Sequence, residues 1–222
     1  TSTRSTVAVG VAAAMACVSM LTFGTARPVA ALNVVAVTTT SDVVDAADGV
    51  VSLREAITIA NGDGDDTEVT LVAGQLYRLC DVVGTATGED ANGDGDLDHT
   101  EANALIVTGN GAEIRSQCPG ERVLHHVGAD GSIELHHLLI AGGDLGVGEP
   151  GSALLSLGDV VIDTVTFTDN TGGVAVEVGE LFAGASLTVT DSTFSDNRGG
   201  IRINSGPATV TGTDFLFNQT AA

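Results

Sequence analysis

The second half of this 222-residue chain repeats a short pattern, and this repeat limits the possible folds more than any other feature. The pattern is an alternating apolar and polar segment that ends in an Asn/Gly turn. It is clearest in VIDTVTFTDNTGG (161–173) and TVTDSTFSDNRGG (188–200), with weaker copies at 134–143 and 209–218. Aligning the four copies, at steps of 27, 27 and 21 residues, superimposes Ile140, Phe167, Phe194 and Phe215.

A repeat of this length holds one strand and one tight turn, so it cannot bury its apolar face alone. Stacked repeats form a continuous core, and the Asn and Gly residues of the turns suit a positive φ. We therefore predict an all-β fold, a right-handed parallel β-helix in which each repeat adds a coil to a solenoid. An irregular antiparallel sandwich is the alternative.

One helix signal precedes the repeats, in SLREAITIAN (52–61). Ser52 is the predicted N-cap, and Glu55 three residues later completes a capping box. The apolar residues that then share one face are Leu53, Ala56, Ile57 and Ala60. Because so short a helix does not persist alone in water, we predict that this face packs on the N-terminal end of the solenoid as a cap. Strands are predicted on either side, at 33–40 and 67–79.

Residues 1–31 are predicted to be a signal peptide. Arg4 precedes an apolar run at 7–24, and the small residues that suit a cleavage site end at Ala31. A membrane anchor is one alternative, but the run is short and rich in Ala and Gly. A lipoprotein site at Cys17 is another, but it lacks the usual preceding leucine. We therefore expect an exported chain.

The exported part is predicted to divide into two regions. Residues 32–110 form an N-terminal cap region with a strand, the helix, an acidic loop and the first coils. Residues 111–222 hold the β-helix repeats. Because the last repeat ends at FNQTAA without a recognised cap, the chain is either a fragment of a longer protein or capped in an unrecognised way.

The charge of the exported part limits its partners. It keeps all 29 acidic residues of the chain, and there is no lysine anywhere. Such a surface repels nucleic acid and anionic membranes, so we expect no nucleic-acid binding and no membrane insertion after the signal is removed. An extracellular protein or glycan is the expected kind of partner.

Two cysteines, Cys80 and Cys118, remain once the signal is removed. In an oxidising compartment they leave a single possible disulfide. On the chain-entropy model, closing this loop stabilises the fold by about 3–4 kcal/mol. Two buried free thiols are the alternative.

Several motifs together resemble the CSLREA-type N-terminal region of secreted bacterial β-helix proteins, and the repeats are similar to those of polymorphic outer-membrane proteins. The motifs are VVSLREAITIAN, DDTEVTLVAGQLYRL, GDLD, TFTDN and TFSDN, and the resemblance covers about residues 33–218. Val51 stands where the motif has its cysteine, so any family disulfide at that position is absent. The resemblance implies a β-helical fold and an extracellular or cell-surface location, and it supplies no catalytic residues.

The acidic segment DANGDGDLDHTE (90–101) matches the pattern of a 12-residue calcium-binding loop, with Gly95 at the turn. The candidate ligands are Asp90, Asn92, Asp94, Asp96 through its carbonyl, Asp98 and Glu101. The alternative is a solvated acidic turn, because no amphipathic helix precedes the loop and GDLD leads into a strand in the similar family. A calcium ion here would have a structural role beside the Cys80–Cys118 bridge.

Two histidine pairs, at 125–126 and 136–137, form a weaker candidate for a metal site. If the pairs lie on adjacent strands, alternation points one histidine of each pair outward. These two with one acid would bind zinc, although no fourth ligand is evident. Histidines that are exposed or satisfied in the core are the commoner outcome.

The expected function is that of a secreted or surface-displayed structural or interaction module, in adhesion or envelope scaffolding, without an evident catalytic site. The alternative is a polysaccharide-acting β-helix lyase or hydrolase. A hydrolase needs stacked carboxylates, for which Asp169 with Asp196, and Asp163 with the nearly equivalent Asp191, are candidates. Asp-Asn at such a turn is more often turn chemistry, and a chain without lysine would repel an acidic polysaccharide.

Overall fold

The computed structural model describes residues 31–80, 91–179 and 184–219, so the predicted signal peptide lies outside the described residues. The described chain is mostly β, with one α-helix, α1, among its elements. In chain order the elements are β1 (Leu32–Ala36), α1 (Leu53–Asp63), β2 (Asp66–Thr70), β3 (Leu76–Leu79), β4 (Leu97–His99), β5 (Ala104–Ser116), β6 (Leu124–His126), β7 (Ser132–Ala141), β8 (Leu154–Ser156), β9 (Asp159–Asp163), β10 (Thr166–Thr168), β11 (Val174–Val178), β12 (Leu187–Thr190), β13 (Thr193–Ser195), β14 (Gly199–Ile203), β15 (Ala208–Thr211) and β16 (Asp214–Leu216).

The described strands form two long parallel sheets. The larger sheet has eleven strands, and the smaller has the order β14-β11-β8-β6-β4. The long strands β5 and β7 each contribute two segments to the larger sheet, so that β5 pairs with β2 through its first half and with β3 through its second. Parallel pairing excludes the antiparallel sandwich, and the arrangement is compatible with a parallel β-helix or another solenoid.

The predicted alignment of the repeats is confirmed by the strand register. Phe167 pairs with Ile140 on one side and with Phe194 on the other, and Phe194 pairs with Phe215. The three phenylalanine rings stack, with centroid separations of 4.8 and 5.0 Å. The steps of 27, 27 and 21 residues read from the sequence are therefore the numbers of residues that separate one strand from the next strand beside it in the sheet.

A ladder of asparagines follows this stack, three residues after each phenylalanine. Each Oδ1 accepts a hydrogen bond from the preceding repeat, at 3.0–3.1 Å, and each Nδ2 donates to a backbone carbonyl of that repeat. The three residues are Asn170, Asn197 and Asn218. The ladder satisfies backbone groups that the turn would otherwise leave unpaired in the interior.

The helix begins at the predicted N-cap, and its predicted apolar face is buried. Ser52 Oγ accepts from the backbone N–H of Glu55 at 3.1 Å, and the Glu55 carboxylate accepts from the N–H of Ser52 at 2.8 Å. The buried apolar residues of the helix are Leu53, Ala56, Ile57 and Ala60. Because α1 packs on β2 and on β4, the terminal strand of the smaller sheet, it covers the N-terminal edge of that sheet.

The disulfide between Cys80 and Cys118 is present, with a Cα–Cα distance of 5.3 Å.

The strand predicted at 67–79 is two strands, β2 and β3, with Gly74 at a φ of 64° between them. In the part of the chain that the structure describes, no helix has the length and apolar character needed to cross a bilayer.

Candidate functional site

The acidic loop is wound around the side chain of Arg54, in the first turn of α1. This side chain is 3% exposed. Its Nε and Nη2 donate to the two carboxylate oxygens of Asp42 at 2.8 and 3.0 Å. Its Nη1 and Nη2 also donate to the backbone carbonyls of Asp94, Gly95 and Asp96 at 3.2, 2.8 and 2.8 Å. All five N–H donors of the guanidinium are thus used, and a protein cation holds the turn of the loop.

These bonds use groups that the calcium prediction assigned to an ion. The carbonyl of Asp96, the predicted seventh-position ligand, accepts from Arg54 instead. The Asn92 side chain donates to the carbonyl of Arg54 at 2.8 Å and to Thr58 Oγ1 at 2.9 Å, while its Oδ1 accepts from the N–H of Asp98 at 3.2 Å. Both groups are therefore occupied within the protein.

The other predicted calcium ligands have different surroundings. Asp90 lies outside the described residues, and Asp94 and Glu101 are half-buried. The Cys80–Cys118 bridge does lie beside the loop, with Cys118 Sγ 3.3 Å from the carbonyl oxygen of Gly95. Calcium binding by this loop stays a prediction.

The two remaining loop carboxylates meet a histidine from a distant part of the chain. Parallel pairing of β4 with β6 sets Asp98 beside His125, with 3.4 Å between Asp98 Oδ1 and His125 Nδ1. Together with Asp96, each residue offers one ligand atom, and these three atoms lie within 4.8 Å of one another. The residues are 2% (Asp96), 0% (Asp98) and 8% (His125) exposed. The sequence did not connect His125 with the acidic loop.

The two carboxylates of this cluster are incompletely paired. Asp98 Oδ2 accepts from the N–H of Asn92 at 3.0 Å, but Asp98 Oδ1 and Asp96 Oδ2 have no hydrogen-bond partner among the described residues. The nearest cationic nitrogen recorded for Asp96 Oδ2 is Nη1 of Arg122, at 3.7 Å. Burial and then the neighbouring Asp98 carboxylate raise the pKa of Asp96 to about 7, against the opposing effect of Arg122.

A second histidine contact adjoins the cluster. His99 and His126 stack with their ring centroids 4.9 Å apart, and their Nδ1 atoms are 2.9 Å apart. Burial lowers the pKa of each histidine to about 4. Both rings are therefore neutral at pH 7, and one Nδ1–H donates to the other Nδ1.

The zinc prediction from the two histidine pairs is wrong in its geometry. His125 and His126 lie on β6 of the smaller sheet, whereas His136 and His137 lie on β7 of the larger sheet, so the pairs are not on adjacent strands. The prediction that one histidine of each pair points outward also fails for the first pair, because the side chains of His125 and His126 are both buried.

The neutral histidine stack predicts a pH dependence of stability. Each histidine has a pKa of about 4 in the folded chain and an ordinary value of 6.5. Between these values the unfolded chain binds more protons, so the stability due to neutral His99 and His126 is present above pH 6.5 and is lost toward pH 4. We expect the stability of the wild type, relative to a His99→Phe/His126→Phe variant, to fall by about 2 kcal/mol from pH 7 to 5.5.

Urea unfolding of both proteins at the two pH values, in EDTA, measures this difference. The pKa of Asp96 is raised, so its contribution has the opposite sign, but it is common to both proteins and cancels. A stability difference that does not change between pH 7 and 5.5 would contradict a neutral stack.

The carboxylates considered for a hydrolase lie at turns. Asp169 and Asp196 occupy equivalent positions, each with a φ of 56°, and Phe217 at the next equivalent position has a φ of 55°. The same left-handed turn therefore forms without a carboxylate. Asp163 pairs with Thr190 rather than with Asp191, so the second proposed pair is not in register.

A shallow surface depression of about 400 Å³ lies near the turn between the two halves of β7. Its lining includes Asn110, His137, Leu138 and Thr164, and the described residues that line it include no carboxylate. It therefore does not supply the pair of acids that a glycoside hydrolase needs.

No family model, curated protein or solved structure matches the chain.

Proposed function

We propose that this chain is a secreted or surface-displayed structural and interaction module, built as a right-handed parallel β-helix with α1 as its N-terminal cap. The observation that carries the proposal is the constant register of the repeats. Equivalent side chains of successive repeats stand next to each other, so β10 and β13 carry rows of like residues. Solenoids use such extended surfaces for contact with partners.

The outward rows of β10 and β13 support a contact surface. Thr166 pairs with Thr193, and Thr168 with Ser195, and all four side chains are half-buried between neighbouring repeats. Ser195 Oγ donates to Thr168 Oγ1 at 3.4 Å. These short hydroxyl side chains lie on a regular sheet, which suits contact with an extended partner better than it suits turnover of a substrate in a cleft.

Two further features support an exported role. A disulfide such as Cys80–Cys118 persists in oxidising compartments. The excess of acidic residues over basic ones keeps such a chain soluble and repels nucleic acid. The resemblance of the SLREA helix and the repeats to secreted bacterial β-helix proteins belongs to the same proposal.

Binding to isolated bacterial envelopes tests the interaction role. We expect the purified protein to cosediment with envelopes in a saturable manner, and Thr193→Arg to weaken this binding at least tenfold because it places a long cation on the hydroxyl surface. Thr209→Arg, on the exposed strand β15, is the matched control. Equal binding by both variants and the wild type, or no saturable binding at all, would contradict the proposal.

Incubation with soluble polysaccharides tests the enzyme alternative. We expect no new reducing ends and no unsaturated products from neutral or acidic polysaccharides. Turnover that is lost in Asp169→Asn or Asp196→Asn would establish a hydrolase and overturn the assignment of a structural module.

A further inference from the structure

We infer that Asp96, Asp98 and His125 form a binding site for a divalent transition-metal ion, such as Zn²⁺, where the acidic loop meets β6. This site shares Asp98 with the predicted calcium loop, but it uses the carboxylate rather than the carbonyl of Asp96, adds His125, and binds a different metal. It takes two carboxylates from the loop and replaces the other predicted oxygens by a histidine 27 residues after Asp98.

The spacing of the ligand atoms suits such an ion. Metal–ligand bonds of about 2.1 Å in a tetrahedral arrangement place two ligand atoms about 3.4 Å apart. His125 Nδ1 and Asp98 Oδ1 are 3.4 Å apart, and no pair among the three ligand atoms exceeds 4.8 Å. A small movement of the Asp96 side chain would complete the three protein ligands, with water as a fourth.

Two carboxylate oxygens of the cluster that lack a hydrogen bond point to a missing ion. Asp96 Oδ2 and Asp98 Oδ1 are both buried, and neither accepts a hydrogen bond from a residue that the structure describes. A buried carboxylate oxygen without a partner costs free energy, and two neighbouring ones repel each other. An ion between these oxygens would satisfy both of them and remove the repulsion.

The charge of the surroundings favours a divalent cation. The carboxyl group of Glu121 adds a third acid, which acts electrostatically on Asp96. Among the described residues, Arg122 is the arginine that contacts Asp96, and Arg54 is already paired with Asp42. Asp96 and Asp98 place two buried carboxylates at the site, and one divalent ion would balance the charge of both when they are ionised.

The ligand types select a transition metal over calcium. Imidazole nitrogen is a ligand for zinc and similar ions, whereas calcium takes six to eight oxygens. Two of the oxygens that the calcium prediction assigned to an ion, Asn92 Oδ1 and the Asp96 carbonyl, already accept hydrogen bonds within the protein.

The hydrogen bonds behind the cluster orient its ligands. Asp98 Oδ2 accepts from the N–H of Asn92, which leaves Oδ1 directed toward His125. Asn92 is in turn held by the carbonyl of Arg54 on α1. Such outer hydrogen bonds fix the orientation of a metal ligand before the ion binds.

Arg122 competes with the ion. Its Nη1 is 3.7 Å from Asp96 Oδ2, and its buried Nε has no hydrogen-bond partner in the described parts of the chain. Because the guanidinium bonds Asp96 poorly, a metal ion can displace it toward solvent, where the side chain is already 16% exposed. Arg122→Gln is therefore expected to increase the affinity for the metal.

Calorimetric titration of the EDTA-stripped, oxidised full chain with ZnCl₂ tests the site, with CaCl₂ titrated separately. We expect one Zn²⁺ per chain, at least tenfold weaker binding in Asp98→Asn and in His125→Gln, and tighter binding in Arg122→Gln. His136→Gln is the matched control, since His136 also faces two carboxylates, Glu134 at 3.4 Å and Asp163 at 3.9 Å, but in a more exposed setting.

Absorption of the Co²⁺-loaded wild type gives a readout that does not depend on the variants folding. A nitrogen-and-oxygen site of low coordination number should give visible bands that Zn²⁺ abolishes. Absence of stoichiometric Zn²⁺ binding by the wild type, or its loss only in His136→Gln, would overturn the inference. Binding of Ca²⁺ but not Zn²⁺ would also overturn the inference and would support the calcium loop. None of these outcomes depends on the proposed interaction role.

Discussion

Replacing Arg54 by methionine is expected to lower the free energy of unfolding by about 3–5 kcal/mol. The change leaves the carboxylate of Asp42 buried without its bidentate partner. It also removes the hydrogen-bond donors of three backbone carbonyls in the acidic loop. Methionine keeps much of the side-chain volume, so the loss reports on charge and hydrogen bonding. Urea unfolding followed by far-UV circular dichroism measures it.

Two further variants separate the network from a general loss of a cation. Arg78→Met changes an exposed residue of β3 and should alter stability by less than about 0.5 kcal/mol. Arg54→Lys keeps the charge but cannot make the same five bonds, so its stability should lie between those of the wild type and Arg54→Met. Equal losses for Arg54→Met and Arg78→Met would show that the guanidinium does not organise the loop.

The second large effect is expected at the centre of the phenylalanine stack. Phe194→Ala should cost about 3–5 kcal/mol, because Phe194 is fully buried between Phe167 and Phe215 and its removal leaves a cavity. The same change at Phe215, which is 48% exposed, should cost about 1 kcal/mol. Phe217→Ala, at a residue 83% exposed, should fall within about 0.5 kcal/mol of the wild type.

This gradient follows the burial of each ring, and thermal melting of the three variants is enough to rank them. A loss at Phe215 or Phe217 as large as that at Phe194 would contradict the register. Phe194→Leu, which keeps most of the apolar volume, should recover more than half of the stability lost in Phe194→Ala.

The parts of the fold that depend on local sequence were predictable. The capping box depends on residues three apart, and Ser52 and Glu55 form it as predicted. The alignment of Phe167 with Phe194 follows from two closely similar segments, and the strand register agrees. The single disulfide followed from the number of cysteines in the exported part.

The role of Arg54 was not predictable in the same way. Its bonds reach Asp42, twelve residues before it, and carbonyls about forty residues after it. Backbone carbonyls exist at every residue, so nothing in the residue types shows which ones a guanidinium will bind. The match to a calcium loop was read from side-chain types alone, while the structure uses the Asn92 amide to fasten the loop to α1.

The meeting of Asp98 with His125 did leave a signal in the sequence. The two residues are 27 positions apart, as are His99 and His126, and this is the step between the clearest repeats downstream. Extending that step upstream into the acidic loop would have paired them. It was missed because neither DLDH nor LHH resembles the Phe-containing repeat.

The Arg54 network also bears on how the disulfide forms. The N–H of Cys80 donates to the same Asp42 oxygen that Arg54 binds, and the Gly95 carbonyl that accepts from Arg54 lies against Cys118 Sγ. In the reduced chain, these bonds would hold the two thiols together at a high effective concentration. Folding and disulfide formation are thermodynamically linked. The free energy by which the Cys80–Cys118 disulfide stabilises the fold is therefore also the free energy by which folding stabilises the disulfide. The Cys80–Cys118 disulfide of the Arg54→Met variant should therefore be reduced by a milder reductant than the wild type requires.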